Sequence, residues 1–225
     1  MAGEDCISDI KDIPFYLPQN SMLHTGSTVL LLFISLCCVG QTTYEVNAGS
    51  ARTGIDVVHS TSLDSLKRWP VLSRNLASGF YDKTTSLYSF NSVAYAFKNG
   101  IGIVSNNIYN SQRFYSALGL QYTYSSRDWF IYIYLTKEIS RNNFHDHFVF
   151  IAWQPSISKG VRLLFQNELN FTMNGSQNNF TLERFKFGVN LRNHWQTGVL
   201  LEITSEKEDF QINHPNIGVF IKKLI

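Results

Sequence analysis

Residues 112–137 read QRFYSALGLQYTYSSRDWFIYIYLTK, and their side chains alternate with a period of two. Phe114, Leu118, Leu120, Tyr122 and Tyr124 fall on one face, and Trp129, Ile131, Ile133 and Leu135 continue it on the next run. The charges Arg113, Arg127, Asp128 and Lys137 stand only at the ends of the runs or in the turn between them. Runs of this length exceed the usual soluble strand of about 5–6 residues. They match the roughly 9–11 tilted residues that cross a bilayer. The segment reads as a hairpin of membrane-length strands.

The same period extends in both directions. It predicts strands at 86–97, 101–109, 112–124, 129–138, 147–155, 161–172, 180–192, 195–204 and 216–225. Lys98-Asn99-Gly100 marks a tight hairpin, because Asn-Gly accepts positive φ. Turns near 98–100, 125–128, 156–160 and 193–194 are short, whereas 139–146, 173–179 and 205–215 read as longer polar loops. Short turns on one rim and long loops on the other describe an antiparallel up-and-down transmembrane β-barrel. Single-chain bacterial barrels have even strand counts. A tenth strand is therefore expected at Arg52–His59, starting on the short-turn rim, with 60–85 as the longest outer loop. Ser62 to Trp69 is the best helix candidate, inside that loop. The expectation is an all-β barrel of about ten strands, with eight as the alternative.

The faces are inverted relative to a soluble barrel. One set carries Ile151, Trp153, Leu163, Phe165, Phe187, Val189, Val199 and Leu201. The opposite set carries Arg162, Glu168, Arg184, Lys186 and Glu202, read as a lumen-lining charge cluster. Apolar outside and polar inside suits lipid, where no water solvates an outward charge. Asn167 is an exception within the outward set. Trp129, Trp153 and Trp195 all fall near the short-turn rim and are expected to form a membrane-interface belt.

Ser27 to Gly40, STVLLLFISLCCVG, is too short to span as a helix and fits the apolar core of an export signal. Cys38 and Gly40 supply the small residues of a cleavage site, so residues 1–40 are expected to be removed and 41–225 to form the barrel. Met22 is read as the initiator. All three cysteines, Cys6, Cys37 and Cys38, lie in the removed part, so no disulfide framework or zinc-thiolate site is expected. Charged residues are only 16% of the chain and aromatics 14%, which excludes a disordered chain. A net charge of +2 is too mild for nucleic-acid binding. A mean hydropathy of −0.10 excludes a bundle of spanning helices.

Chemistry is sparse. His145 and His147 share one strand face with Asp146 between them, a weak candidate for a metal pair. A solvated loop where a polar outer loop meets a strand is the better account of them, and no cofactor is expected. His145, His214, Asp209, Asp82 and Asp64, read as outer-loop residues, would be the material for an omptin-like hydrolase, although no spacing matches one. No nucleophile elbow, phosphate loop or dinucleotide motif is present, so no catalytic residue is assigned.

The signal-like run ending before Gln41, the Asn/Ser-rich hairpins and the C-terminal Asn-Ile-Gly-Val-Phe-Ile-Lys-Lys-Leu-Ile (216–225) resemble small outer-membrane β-barrels of the Bacteroidota kind. Ile225 stands where such chains usually end in an aromatic, and Phe220 lies five residues earlier. The resemblance implies the bacterial outer membrane and a barrel fold, and carries over no catalytic residue. The expected role is a non-enzymatic barrel acting through outer loops that include Trp69, Phe80, Tyr81 and Phe210, as a structural or accessory subunit of an envelope complex. The expected partners are outer-membrane lipid and other outer-membrane or periplasmic proteins, with no nucleic acid. Alternatives are a narrow pore for small anionic solutes, the omptin-like hydrolase, and a soluble lipocalin-like binding barrel.

Overall fold

The computed structural model describes residues 40–225 apart from 82–84, 111–112, 140–143, 176 and 207–210. Apart from Gly40, the expected export signal lies outside the described residues. In chain order the strands are β1 (Gln41–Gly49), β2 (Arg52–Ser62), β3 (Pro70–Phe80), β4 (Thr85–Ala96), β5 (Ile101–Asn110), β6 (Phe114–Ser125) and β7 (Trp129–Glu138). They continue as β8 (Phe144–Trp153), β9 (Ser156–Ser158), β10 (Val161–Asn174), β11 (Gln177–Leu191), β12 (Trp195–Glu206) and β13 (Gln211–Leu224).

Each long strand pairs antiparallel with the next, and β13 returns to pair with β1 from Thr43↔Leu224 to Gly49↔Gly218. Thr42 and Ile225 exchange backbone hydrogen bonds of 3.1 and 2.8 Å at this seam. β9 is a three-residue stub beside the start of β10. Twelve strands therefore form the wall, and closure leaves no unpaired edge.

The expected ten strands become twelve, and the two additions have weak sequence signatures. β1 offers only Tyr44 and Val46 as large outward apolar residues. β3 reads PVLSRNLASGF, with small or polar side chains outward and Arg74 inward, so its alternation carries little contrast. The segment 60–85 is consequently not one outer loop, because it contains β3. Arg52–His59 does lie in a strand, β2, but β2 runs toward the rim that carries the chain termini rather than away from it. β8, β11 and β13 begin inside the segments expected as long loops, so pairing continues through their polar residues.

Residues 63–69 are a turn on the terminus rim, not a helix. Asp64 organises it, accepting the backbone N–H of Arg68 at 2.7 Å and of Trp69 at 2.9 Å. Its other oxygen accepts Arg68 Nε at 3.0 Å. Desolvation works upward on this carboxyl, but the N–H of Trp69 and the Arg68 donors outweigh it and hold Asp64 below the ordinary carboxylate range. At the neighbouring turn Gly100 has φ of 85°, as the Asn-Gly signal requires.

The inversion of faces is clear in the accessibilities. Leu120, Phe187 and Val199 are 59%, 56% and 55% exposed on the outside, whereas Val104 and Arg184 are 0% and 1% exposed inside. The interior has two parts. Phe90, Val104, Ile108, Tyr115 and Tyr134 pack together on the side lined by β4–β7. Tyr134 stacks on Phe90 at 5.7 Å and on Phe148 at 5.1 Å. The remaining interior, toward β1–β3 and β10–β13, carries a charged network beside a small apolar cluster of Leu164, Leu200 and Phe220.

Candidate functional site

Inward positions recur every second residue, so Arg184 and Lys186 of β11 share the lumen face. Arg184 donates Nε to Glu202 Oε2 at 2.7 Å, on the neighbouring β12. Its Nη1 lies 3.4 Å from Glu168 of β10 and 3.8 Å from Asp56 of β2. Arg74 of β3 grips Asp56 with Nε at 3.0 Å and Nη2 at 2.5 Å, a fork geometry that suits guanidinium and carboxylate. The same Arg74 donates Nη1 to Glu168 Oε1 at 2.6 Å. Arg52 pairs with Glu202. Lys186 donates Nζ to both oxygens of Glu45, at 2.6 Å to Oε2.

This network joins four bases to four acids, all largely shielded from solvent. Lys222 stands opposite Glu45 and adds one half-buried base at its edge. Ionised groups can remain in such an interior only when paired and hydrogen-bonded. Inward glycines make room beside it. A Cβ on Gly198 would lie 2.1 Å from the Phe187 carbonyl oxygen. Leu164, Leu200 and Phe220 fill that side of the lumen, and Lys186 sits 5.3 Å over the Phe220 ring.

The structure brings Glu168, Arg184, Lys186 and Glu202 together, but not Arg162. Arg162 lies on the terminus rim, where it donates to the carbonyls of Gln154 and Arg127, each at 2.6 Å, and pairs with Asp128 at 2.8 Å. Sequence reading missed Glu45, Arg52, Asp56 and Arg74, half of the network. Arg52 and Asp56 stand four residues apart on one strand, which places them on a common face. Extending the face assignment ahead of Ser86 would have found them. The inward set read from the sequence has three bases to two acids, an excess that favours an anion pore. The full network pairs four with four, and among the described residues only Lys222 at its edge is left over.

A second inward cluster lies at the opposite rim. Arg113 pairs with Glu138 at 3.3 Å and stacks over Tyr115 and Phe144, 4.2 and 3.9 Å from their centroids. Asp146 accepts the Thr172 hydroxyl at 2.7 Å. His145 and His147 flank Asp146 but occupy the outer face, and His147 stacks on Phe171 at 4.4 Å. Among the described residues no group of three potential ligands could hold a metal ion. Of the residues imagined for a hydrolase, Asp64 sits on the terminus rim, away from His145. Asp82 and Asp209 lie outside the described residues, as does the side chain of His214. Trp129 and Trp153 are directly opposed and stacked at 5.8 Å on the terminus rim. Trp195 meets Lys223 there at 4.8 Å, and Trp69 packs on Tyr95 at 4.9 Å, so Trp69 is not an outer-loop residue.

No family model and no curated protein matches this chain. Solved structures similar to it include the KdgM porin, with a TM-score of 0.51 and 11% identity over 81% of this chain and 98% of that one. One KdgM structure is a complex with disordered oligogalacturonate. The NanC porin also gives a TM-score of 0.51, at 9% identity over 83% of this chain and 98% of that one. The shared property is the closed antiparallel barrel. Such a barrel, apolar outside and ion-paired inside, has no stable place in water, and the protein is an outer-membrane β-barrel of bacteria. A soluble lipocalin-like barrel would need the opposite faces.

Proposed function

We propose that the protein is a non-enzymatic, non-conducting outer-membrane barrel that serves as a structural or accessory subunit of the envelope. The observation that carries this reading is the ion pair between Arg74 and Glu168, which ties β3 to β10 straight across the lumen. Around it the remaining pairs and the aromatic cluster fill the interior, as in small barrels whose core is packed with side chains. Trp69, Trp129, Trp153 and Trp195 anchor the terminus rim at headgroup level. The Asn/Ser-rich hairpins and the C-terminal strand support kinship with Bacteroidota barrels. Reconstitution in planar lipid bilayers tests the proposal. The expected record is a flat baseline, and discrete, sustained conductance steps would overturn it.

A narrow pore is the second reading, favoured because the neighbours of shared fold are porins. In that reading the paired charges form a gate of side chains, and Arg74→Ala together with Glu168→Ala should open a steady conductance. The balanced network predicts little preference between anions and cations. A plugged scaffold should stay closed in the same double variant or fail to fold.

A further inference from the structure

The outward face of β1–β6 departs from the apolar rule. Thr42, His59, Ser73, Asn91, Asn107 and Ser116 are register partners in six successive strands, forming one continuous polar row. Alternation fixes their side: Tyr44, Leu87, Ile103 and Leu118 share it and are exposed, while Phe90 and Val104 on the other side are buried in the lumen. Hydrogen bonds join the row internally. Thr42 Oγ1 lies 2.9 Å from His59 Nδ1, Ser73 donates to Asn91 Oδ1 at 2.9 Å, and Ser116 donates to Asn107 Oδ1 at 2.7 Å. Asn91 Nδ2 reaches Ser89 Oγ at 3.4 Å, and with the Asn107 oxygen taken by Ser116 the side-chain NH2 of Asn107 is the donor the row presents.

The row climbs with the strand tilt, from the second residue of β1 at the terminus rim to the third residue of β6 at the outer rim. Asn91 and Asn107 are each the seventh residue of their strands, near mid-height. Hydrocarbon tails offer nothing to an amide at that depth. At the same height the face around β7, β8, β11 and β12 presents Ile133, Val149, Phe187 and Val199.

We propose that the protein self-associates in the membrane through this row, as a two-fold dimer centred on Asn91 and Asn107. An Asn side chain carries both a donor and an acceptor, so the row complements itself and calls for no charged partner. Barrels inserted in one direction can be related only by an axis along the membrane normal, and for a pair that axis is two-fold, which makes the contact isologous. Two rows of equal slope, brought face to face about such an axis, cross once. The crossing falls at mid-height, where the amides stand. Ser73 and Asn91 are recessed to 3% and 5% exposure, so the two walls can approach closely, as small residues permit between membrane helices.

The test uses the full chain in lipid vesicles, with Cys6, Cys37 and Cys38 replaced by Ser. Under mild oxidation Asn107→Cys should cross-link into a dimer, whereas Val199→Cys on the far face should stay monomeric. Separately, Asn91→Leu combined with Asn107→Leu should lower the dimer fraction at least tenfold. Leucine is favourable in lipid, so this variant should keep the gel shift between heated and unheated samples that reports a folded barrel. Equal cross-linking at both cysteines, an unchanged dimer fraction in the leucine variant, or capture of a different protein by Asn107→Cys in native membranes would each overturn the proposal. If the leucine pair does not fold, Asn107→Ser alone should still reduce the dimer fraction, and no reduction counts against it.

Discussion

Arg74 on β3 and Glu168 on β10 belong to strands six places apart in a ring of twelve, yet their side chains meet at 2.6 Å. A circular ring of twelve tilted strands would be roughly 20–25 Å across. Two outstretched side chains and one hydrogen bond do not cover that distance. The cross-section is therefore oval, with β3 and β10 facing each other over its short axis.

This pairing makes the network sensitive to the loss of any one member. Glu168→Gln leaves Arg74 and Arg184 short of an acceptor and should cost about 3–5 kcal/mol, the usual penalty for an orphaned buried charge. Urea unfolding in lipid vesicles measures it. Adding Arg74→Gln should cost less than the sum of the two single changes, because the partners are coupled. A loss below about 1 kcal/mol, typical of exposed pairs, would mean that water reaches the network.

The lipid-facing assignment is tested at Ile151 and Ile133. Arginine at Ile133 should cost about 2–4 kcal/mol near the bilayer midplane, and less at Ile151, two residues from the Trp153 rim. The readout is the same unfolding titration. Normal stability in both variants would remove these residues from the lipid face.

The turn at 63–69 depends on an ionised Asp64. Its folded pKa is depressed, so the contribution is present above the unfolded value of about 3.9 and is lost as pH falls through the folded one. Asp64→Asn imitates the protonated state at neutral pH. It should speed tryptic cleavage after Lys67 and Arg68, and an unchanged cleavage rate would refute the role of the carboxylate.

Cys38 and Gly40 supply the small residues of an export-signal cleavage site just ahead of Gln41. Protein taken from the membrane fraction should therefore give an N-terminus at or near Gln41 on sequencing. Retention of residues 1–40, or a lipidated Cys37 or Cys38, would contradict it.

The sequence made the inverted polarity legible because β6–β12 combine bulky outward side chains with inward charges, as in Arg184-Phe185-Lys186-Phe187. It concealed β1 and β3 because their outward residues include Thr42, Ser73, Asn75 and Ala77, which give no hydropathy contrast. The polar row was hidden for the same reason. Ser116 interrupts the outward set Phe114, Leu118, Leu120, and only the register with Asn107 gives that interruption meaning. The charge network was half legible, since pairs such as Arg74 with Glu168 are set by closure and not by spacing along a strand.

Glu45 and Lys186 are 141 residues apart, and like Arg52 and Glu202 they straddle the line where β13 meets β1. Neither pair can exist until the last strand has docked on the first. Before that, only Glu202 of the four keeps a partner, Arg184, on the neighbouring strand. An open sheet entering the bilayer would expose Glu45, Arg52 and Lys186 without these counter-ions, a state that lipid strongly disfavours. Zipping the seam and silencing these charges are thus one event. The seam is therefore fastened twice, by its backbone ladder and by charges that only closure can pair.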